Sequence, residues 1–119
     1  MTTDEQISLV RSTLSGSPHN WQLKVFDLIR RIPSGYLISY GELARWANRE
    51  YNLQLCPQNT AWLRKALYHI IGHDTDIPLH RIATQWDAES SKDHPYTQQI
   101  NRQKRMAEGT YPHPKWYRP

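Results

Sequence analysis

The chain has 119 residues, of which 38% are hydrophobic and 22% charged, and its formal net charge is +4. This length and composition predict one globular domain with a core of its own, and no apolar run approaches the roughly 20 residues of a membrane span. The single cysteine excludes an internal disulfide, and the polar, acidic start of the chain is unlike a secretory signal. We therefore expect a cytoplasmic protein, and a monomer.

The first part of the chain divides into an arm and a helix. Residues 1–19 predict a loose arm or a short helix, ahead of a domain over residues 20–119. Asn20 can cap a helix, and Pro33 stops it because proline cannot continue the hydrogen-bond ladder. The apolar residues between them recur at helical spacing and predict a core face: Trp21, Leu23, Val25, Phe26, Leu28, Ile29 and Ile32.

A strand is predicted over residues 36–40, where a second helix begins. Ser39 can cap that helix, and Glu42 stands where a capping box places its acidic partner. Gly41 is expected to permit close packing. Local signals thus define the start of this helix well.

We predict that the second helix ends at Asn48 and that a polar connection covers residues 49–58. A third helix then starts near Asn59 or Thr60 and ends at Gly72. Two helices joined in this way predict a helix-turn-helix, although its connection is longer than usual. Many small helical domains that do not bind DNA show the same pattern.

The third helix has one apolar face and one polar, basic face. The apolar residues, which follow the helical repeat, are Leu63, Ala66, Leu67, Ile70 and Ile71. The opposite side carries Ala61, Lys65 and Tyr68, flanked by Trp62, Arg64 and His69. We predict that Lys65 and Tyr68 contact a phosphate or a groove of DNA; the alternative is a solvated helix face.

The remainder of the chain is expected to hold a polar loop, a last helix over residues 96–107 ended by Gly109, and an irregular proline-rich tail. Trp86 in the loop and Trp116 in the tail are predicted to be packing anchors. Basic residues dominate the stretch from residue 100 onward: Arg102, Lys104, Arg105, Lys115 and Arg118. Such a stretch favours a polyanion partner, and a solvated basic tail is the alternative.

The sequence predicts no metal site and no cofactor. His69 and His73 have a spacing that can bind zinc on a helix, but Gly72 should end the helix between them, and no third ligand is evident. Cys56 stands in a polar connection, far from His80 in the motif order. A reaction that uses the Cys56 thiol is therefore only a third hypothesis.

Two motifs, in their order along the chain, resemble one protein family. Ser-Tyr-Gly-Glu-Leu-Ala occupies residues 39–44, and Pro-Leu-His-Arg occupies residues 78–81, after the third helix. From Trp21 to Gly109 the chain resembles the DNA-binding domain of O6-alkylguanine-DNA alkyltransferases. The resemblance implies an α/β, mainly helical, winged-helix-like domain that binds double-stranded DNA in the nucleoid or the nucleus.

The active enzymes of this family carry a cysteine in the motif that here is Pro-Leu-His-Arg, and its thiolate accepts the alkyl group. The resemblance places Leu79 at the nucleophile, His80 at the histidine that takes the thiol proton, and Glu108 at the carboxylate that orients this histidine. Leucine has no lone pair for attack, so we predict no enzymatic activity. His80 and Glu108 should then form a structural pair, with Arg81 bracing the turn through backbone carbonyls or a carboxylate.

A branch of the family that lacks the cysteine, the alkyltransferase-like proteins, is similar to this chain in length and in its Lys-Trp-Tyr-Arg-Pro tail. These proteins bind O6-alkylguanine in DNA, flip the base out and pass the site to nucleotide excision repair proteins. The resemblance implies that Tyr40 pushes on the phosphate of the flipped nucleotide and that Tyr40, Leu79 and Lys92 border the lesion pocket. Leu79 replaces the usual tryptophan, which predicts either a roomier apolar pocket floor or a plain core residue.

A second departure concerns the arginine that this family inserts into the base stack. Its position falls at Ala61 or Trp62, and the small glycine farther along the helix is replaced by Arg64 or Lys65. Trp62 can fill the gap by stacking, Arg64 can reach it from nearly a turn away, or flipping is lost. The first hypothesis is therefore a sensor of base lesions, and the second is a plain DNA-binding or regulatory module.

Overall fold

The computed structural model describes residues 20–73, 75–84 and 94–119. Its elements are α1 Asn20–Arg31, β1 Ile38–Ser39, α2 Tyr40–Tyr51, α3 Pro57–Ile71, a 3-10 turn Leu79–Arg81, β2 Ile82–Ala83 and α4 Pro95–Glu108. The fold is mainly helical, as the sequence predicts. Among the described residues no helix is long and apolar enough to cross a membrane. The predicted arm at residues 1–19 lies outside the described residues.

Helix α1 supplies much of the core. It begins at Asn20, one residue earlier than a cap at Asn20 would give, and ends ahead of Pro33, as predicted. Most residues of its predicted core face are fully buried, and the others, Trp21 and Leu23, pack against the core while partly exposed. Periodicity alone identified this face, because helical spacing lines up one side of the helix.

Strand β1 is shorter than predicted, because Tyr40 already belongs to α2. It pairs in parallel with β2, with Ile38 opposite Ile82. The capping prediction for Ser39 is confirmed, since its Oγ accepts the Glu42 backbone N–H at 3.1 Å. This short parallel pair places the start of α2 beside the Pro-Leu-His-Arg turn that precedes β2.

The connection between α2 and α3 is tighter than predicted and covers residues 52–56 only. Asn52 ends α2 in the left-handed conformation with φ 55°, which asparagine tolerates, and Pro57 opens α3. The Asn48 side chain holds the connection, donating to the Leu55 carbonyl at 3.0 Å and accepting the Leu55 N–H at 2.8 Å. Asn48 and Leu55 are seven residues apart, and no sequence motif marks this pair of bonds.

The tail after α4 packs against the domain. Helix α4 ends at Gly109, as predicted, with φ 77°. Leu37 N–H donates to the Lys115 carbonyl at 2.8 Å, and Tyr117 N–H donates to the Leu37 carbonyl at 2.6 Å. The Tyr117 ring meets Trp46 edge to face at a centroid distance of 5.8 Å. The expected irregular tail therefore adds one bridge to the sheet and covers part of the core.

Candidate nucleic-acid interface

The Pro-Leu-His-Arg motif forms one 3-10 turn between α3 and β2. The Leu79 N–H donates to the Ile77 carbonyl at 2.8 Å, and the Arg81 N–H donates to the Pro78 carbonyl at 3.0 Å. Leu79 is only 2% exposed and belongs to the hydrophobic core. Of the two expectations for Leu79, the structure favours a core residue.

Glu108, the last residue of α4, ties the turn to that helix. The Arg81 guanidinium donates to both carboxylate oxygens, with Nε 3.0 Å from Oε1 and Nη2 2.6 Å from Oε2. His80 Nε2 lies 2.9 Å from Glu108 Oε1, and Arg81 Nη1 donates to the Ile32 carbonyl at 2.7 Å. The predictions of a His80–Glu108 pair and of a bracing Arg81 are therefore confirmed as structural contacts.

Burial and hydrogen bonding together set the protonation of His80 and Glu108. Burial lowers the pKa of His80, and the attraction of the Glu108 charge offsets this only in part. Burial alone would raise the pKa of Glu108, but hydrogen bonds from Arg81 and His80 bring it to about 2. At neutral pH Glu108 is ionised and can only accept, so a neutral His80 carries its proton on Nε2 and keeps Nδ1 as an acceptor. A histidine in this state can take a proton, but the adjacent Leu79 has none to give.

Two buried arginines donate to one carbonyl of the turn and to the carbonyl of Ile82, which follows the turn. Arg105 of α4 donates from Nε to the His80 carbonyl at 2.7 Å and from Nη2 to the Ile82 carbonyl at 3.1 Å. Arg64 of α3 donates from Nη1 to the same Ile82 carbonyl at 2.8 Å. Both side chains are 1% exposed. Arg105 is therefore a support of the turn and not part of the basic surface in which the sequence placed it.

The structure corrects the predicted exposure of Arg64 and Tyr68. The Arg64 guanidinium lies over the rings of Tyr40 and Tyr68, with its Cζ 4.9 and 5.9 Å from their centroids. The Tyr68 hydroxyl donates to Asn101 Oδ1 at 2.6 Å. Arg64 cannot fill a gap in DNA from this buried position, and Tyr68 is half-buried. The two rings and the Ile82 carbonyl together compensate part of the cost of burying this charge.

Two predicted DNA contacts of α3 are exposed. Trp62 is 51% exposed, and Lys65, which is also exposed, lies one turn farther along the same helix. Thr60 Oγ1 donates to the Tyr40 carbonyl at 3.2 Å and so joins the start of α3 to the start of α2. Thr60 itself is buried, and Trp62, two residues later, lies on another side of α3. Direct DNA contact by these residues remains a prediction.

The remaining predicted positions are Lys92, Trp86, Trp116 and Cys56. Lys92 and Trp86 lie outside the described residues. Trp116 is half-buried, and its backbone forms an isolated β-bridge with Leu37. The Cys56 thiol donates to Asn59 Oδ1 at 3.0 Å at the start of α3 and has no bond to His80. Within residues 20–73, 75–84 and 94–119 no cluster of metal-binding side chains occurs.

Comparison with solved structures relates this geometry to a known protein. The chain is similar to S. pombe Atl1 in complex with damaged DNA containing O6-carboxymethylguanine, with a TM-score of 0.60 and 24% sequence identity. The similarity covers 79% of this chain and 80% of that chain. The chain has the Atl1 fold. No protein-family model and no curated protein sequence matches it. The Atl1 fold confirms the fold class that the two motifs predicted.

Proposed function

We propose that the chain is a non-enzymatic DNA-binding protein of the alkyltransferase-like type. In this proposal it recognises O6-alkylguanine or a related base lesion by flipping the nucleotide, and signals to nucleotide excision repair proteins. The observation that carries the proposal is the Pro-Leu-His-Arg turn, which keeps its His80–Glu108 pair while Leu79 occupies the nucleophile position. The shared fold supports the proposal, because Atl1 was solved with DNA containing O6-carboxymethylguanine.

The exposed surface near the start of α3 supports DNA binding with distortion of the base stack. Proteins that kink DNA insert apolar side chains between bases, and Trp62 is an aromatic group of this kind. Lys65 on the same helix provides a cation for a phosphate. As the side chain that inserts into the base stack, Trp62 would take the place of the arginine that the motif resemblance implies.

Base flipping can be tested with 2-aminopurine, whose fluorescence rises when it leaves the base stack. A duplex with 2-aminopurine at the target position should brighten when the wild-type protein binds, and a Trp62→Ala variant should produce a smaller rise at saturating protein. A matched Met106→Ala variant, which alters another exposed apolar residue, should behave as wild type. Binding by the wild type without brightening would contradict flipping.

The plain DNA-binding module remains the second candidate, and the position of Arg64 favours it. The Arg64 side chain is packed against the ring of Tyr40, the residue that would border a flipped nucleotide. If Arg64 blocks that space, an Arg64→Ala variant should gain lesion preference over the wild type. An unchanged or lower preference would remove this support for the second candidate.

Chemistry at Cys56 is the third hypothesis. The Cys56 thiol is hydrogen-bonded to Asn59, and His80 is hydrogen-bonded to Glu108. The described contacts therefore do not pair the thiol with a base that could take its proton. Incubation with duplex carrying a radiolabelled O6-methyl group should leave the protein unlabelled. Label on the wild type that disappears in a Cys56→Ser variant would overturn the non-enzymatic proposal.

A further inference from the structure

Gly41, the second residue of α2, has no structural reason to be glycine. Glycine weakens a helix relative to alanine, so its presence calls for an explanation. Gly41 does not have the positive φ angle that would require a glycine at this position. A Cβ built on Gly41 would meet the Nη1, Nη2 and Cζ atoms of Arg45 at 3.5, 3.6 and 3.8 Å, which are ordinary contacts with the mobile end of a side chain. The expectation that Gly41 permits close packing within the fold is therefore wrong.

Arg45 lies one turn after Gly41, and its guanidinium folds back over that glycine. Glu42 holds it there, accepting from Nε at 3.2 Å and from Nη2 at 2.5 Å. The Arg45 side chain is 57% exposed. An exposed ion pair of this kind is weak. Because an arginine has five N–H donors, the guanidinium can also donate to a second anionic group.

Gly41 directly follows Tyr40, which the proposed function places beside the flipped nucleotide, and Arg45 lies one turn later on the same helix. The bond from Thr60 to the Tyr40 carbonyl places the start of α2 beside the first turn of α3. We propose that Gly41 and Arg45 form a contact for the sugar-phosphate backbone of DNA. The missing side chain at Gly41 lets the backbone approach α2, and Arg45 donates to a phosphate oxygen. This inference rests on the DNA binding proposed above but not on lesion recognition.

Salt titration tests the contribution of Arg45. Affinities for duplexes with O6-methylguanine and with guanine are measured by fluorescence anisotropy at several salt concentrations. An Arg45→Gln variant should lose roughly threefold to tenfold in affinity for both duplexes, and the slope of log K against log salt should shrink by about 0.9, the value of one phosphate contact. The matched control is Arg30→Gln. Arg30 is an exposed arginine of α1, and the adjacent Arg31 bonds Glu50 near the C-terminal end of α2, whereas Gly41 lies at the start of α2.

The two variants give distinct outcomes. The phosphate contact is supported if only Arg45→Gln loses DNA affinity, while the ratio of its affinities for the O6-methylguanine and guanine duplexes stays unchanged. Equal affinities and slopes for Arg45→Gln and Arg30→Gln overturn it. If the wild type binds both duplexes with equal affinity, lesion recognition is contradicted. The difference between the salt slopes of the wild type and Arg45→Gln would still show whether Arg45 contacts a phosphate.

Alanine at position 41 tests the glycine separately. Gly41→Ala should keep or raise the melting temperature, because the fold has room for the methyl group, and should lower DNA affinity at least threefold. A lowered melting temperature would show that the fold needs this glycine and would overturn the inference. Unchanged DNA affinity in a stable Gly41→Ala variant would overturn it as well.

Discussion

The Arg81 guanidinium binds both carboxylate oxygens of Glu108, at 3.0 and 2.6 Å, across the junction between the 3-10 turn and α4. Both side chains are largely buried, with 17% and 15% exposure. Bidentate pairs of this kind combine charge with fixed geometry. The contact therefore holds the Pro-Leu-His-Arg turn in place independently of any chemistry that the turn could perform.

Removing the Glu108 charge should destabilise the protein strongly. Glu108→Gln leaves the Arg81 charge without its carboxylate, and breaking a mostly buried pair costs about 3 kcal/mol. Urea unfolding measures the loss. The control is Glu50→Gln, which removes the carboxylate of the exposed Arg31–Glu50 pair and should change stability little. Similar losses in the two variants would contradict a central role for Glu108.

Stability should fall as the pH is lowered from 7.5. Burial lowers the pKa of His80 in the folded protein, so below about 6.5 the unfolded chain binds the proton more readily and gains population. The pKa of Glu108 is lowered to about 2, so a second loss begins as the pH falls below 4.5. Urea unfolding at pH 7.5 and 5.5 isolates the histidine contribution. His80→Gln should lose less stability than the wild type over this interval; an equal loss would contradict the assignment.

The tail should stabilise the domain through Tyr117. Its ring packs edge to face against Trp46 and against Tyr36. Tyr117→Ala should reduce the free energy of unfolding by about 2 kcal/mol, because a packed aromatic group and its ring contacts are lost. Thermal melts compare this variant with Arg118→Ala, which changes an exposed neighbour. Equal melting temperatures for the two variants would show that the tail adds no stability.

Trp62 should matter for DNA binding and not for folding. Trp62→Ala removes an exposed side chain, so its melting temperature should stay close to that of the wild type. Its affinity for lesion-containing duplex should fall roughly tenfold, since stacking of one aromatic ring on a base is worth about 1 to 3 kcal/mol. Met106→Ala, exposed to a similar degree on α4, is the control. A Trp62→Ala variant that binds as well as the control would rule out the wedge.

Local signals predicted much of the fold. Helical spacing identified the core face of α1, and the residues Ser39, Gly72 and Gly109 marked helix ends through side-chain or backbone geometry that neighbours in the sequence determine. The motif resemblance then paired His80 with Glu108, which spacing alone does not reveal. These parts were predictable because each depends on nearby residues or on a motif.

Burial of charged residues was the main feature that the sequence could not predict. Arg64 and Arg105 both donate to the Ile82 carbonyl, and an acceptor that lies far away in the chain has no signature in a helical pattern. The short connection after α2 likewise depends on Asn48 bonding Leu55. Proposed DNA contacts such as Lys65 stay predictions, because exposure alone does not identify a partner.

The central claim is lesion recognition without chemistry, and equilibrium binding tests it most directly. The wild-type protein is titrated at fixed physiological salt into two duplexes that differ only in O6-methylguanine or guanine at one position. The proposal predicts a preference of about tenfold or more, equivalent to about 1.4 kcal/mol, for the modified duplex. Equal affinity for the two duplexes would contradict it and favour a plain DNA-binding module.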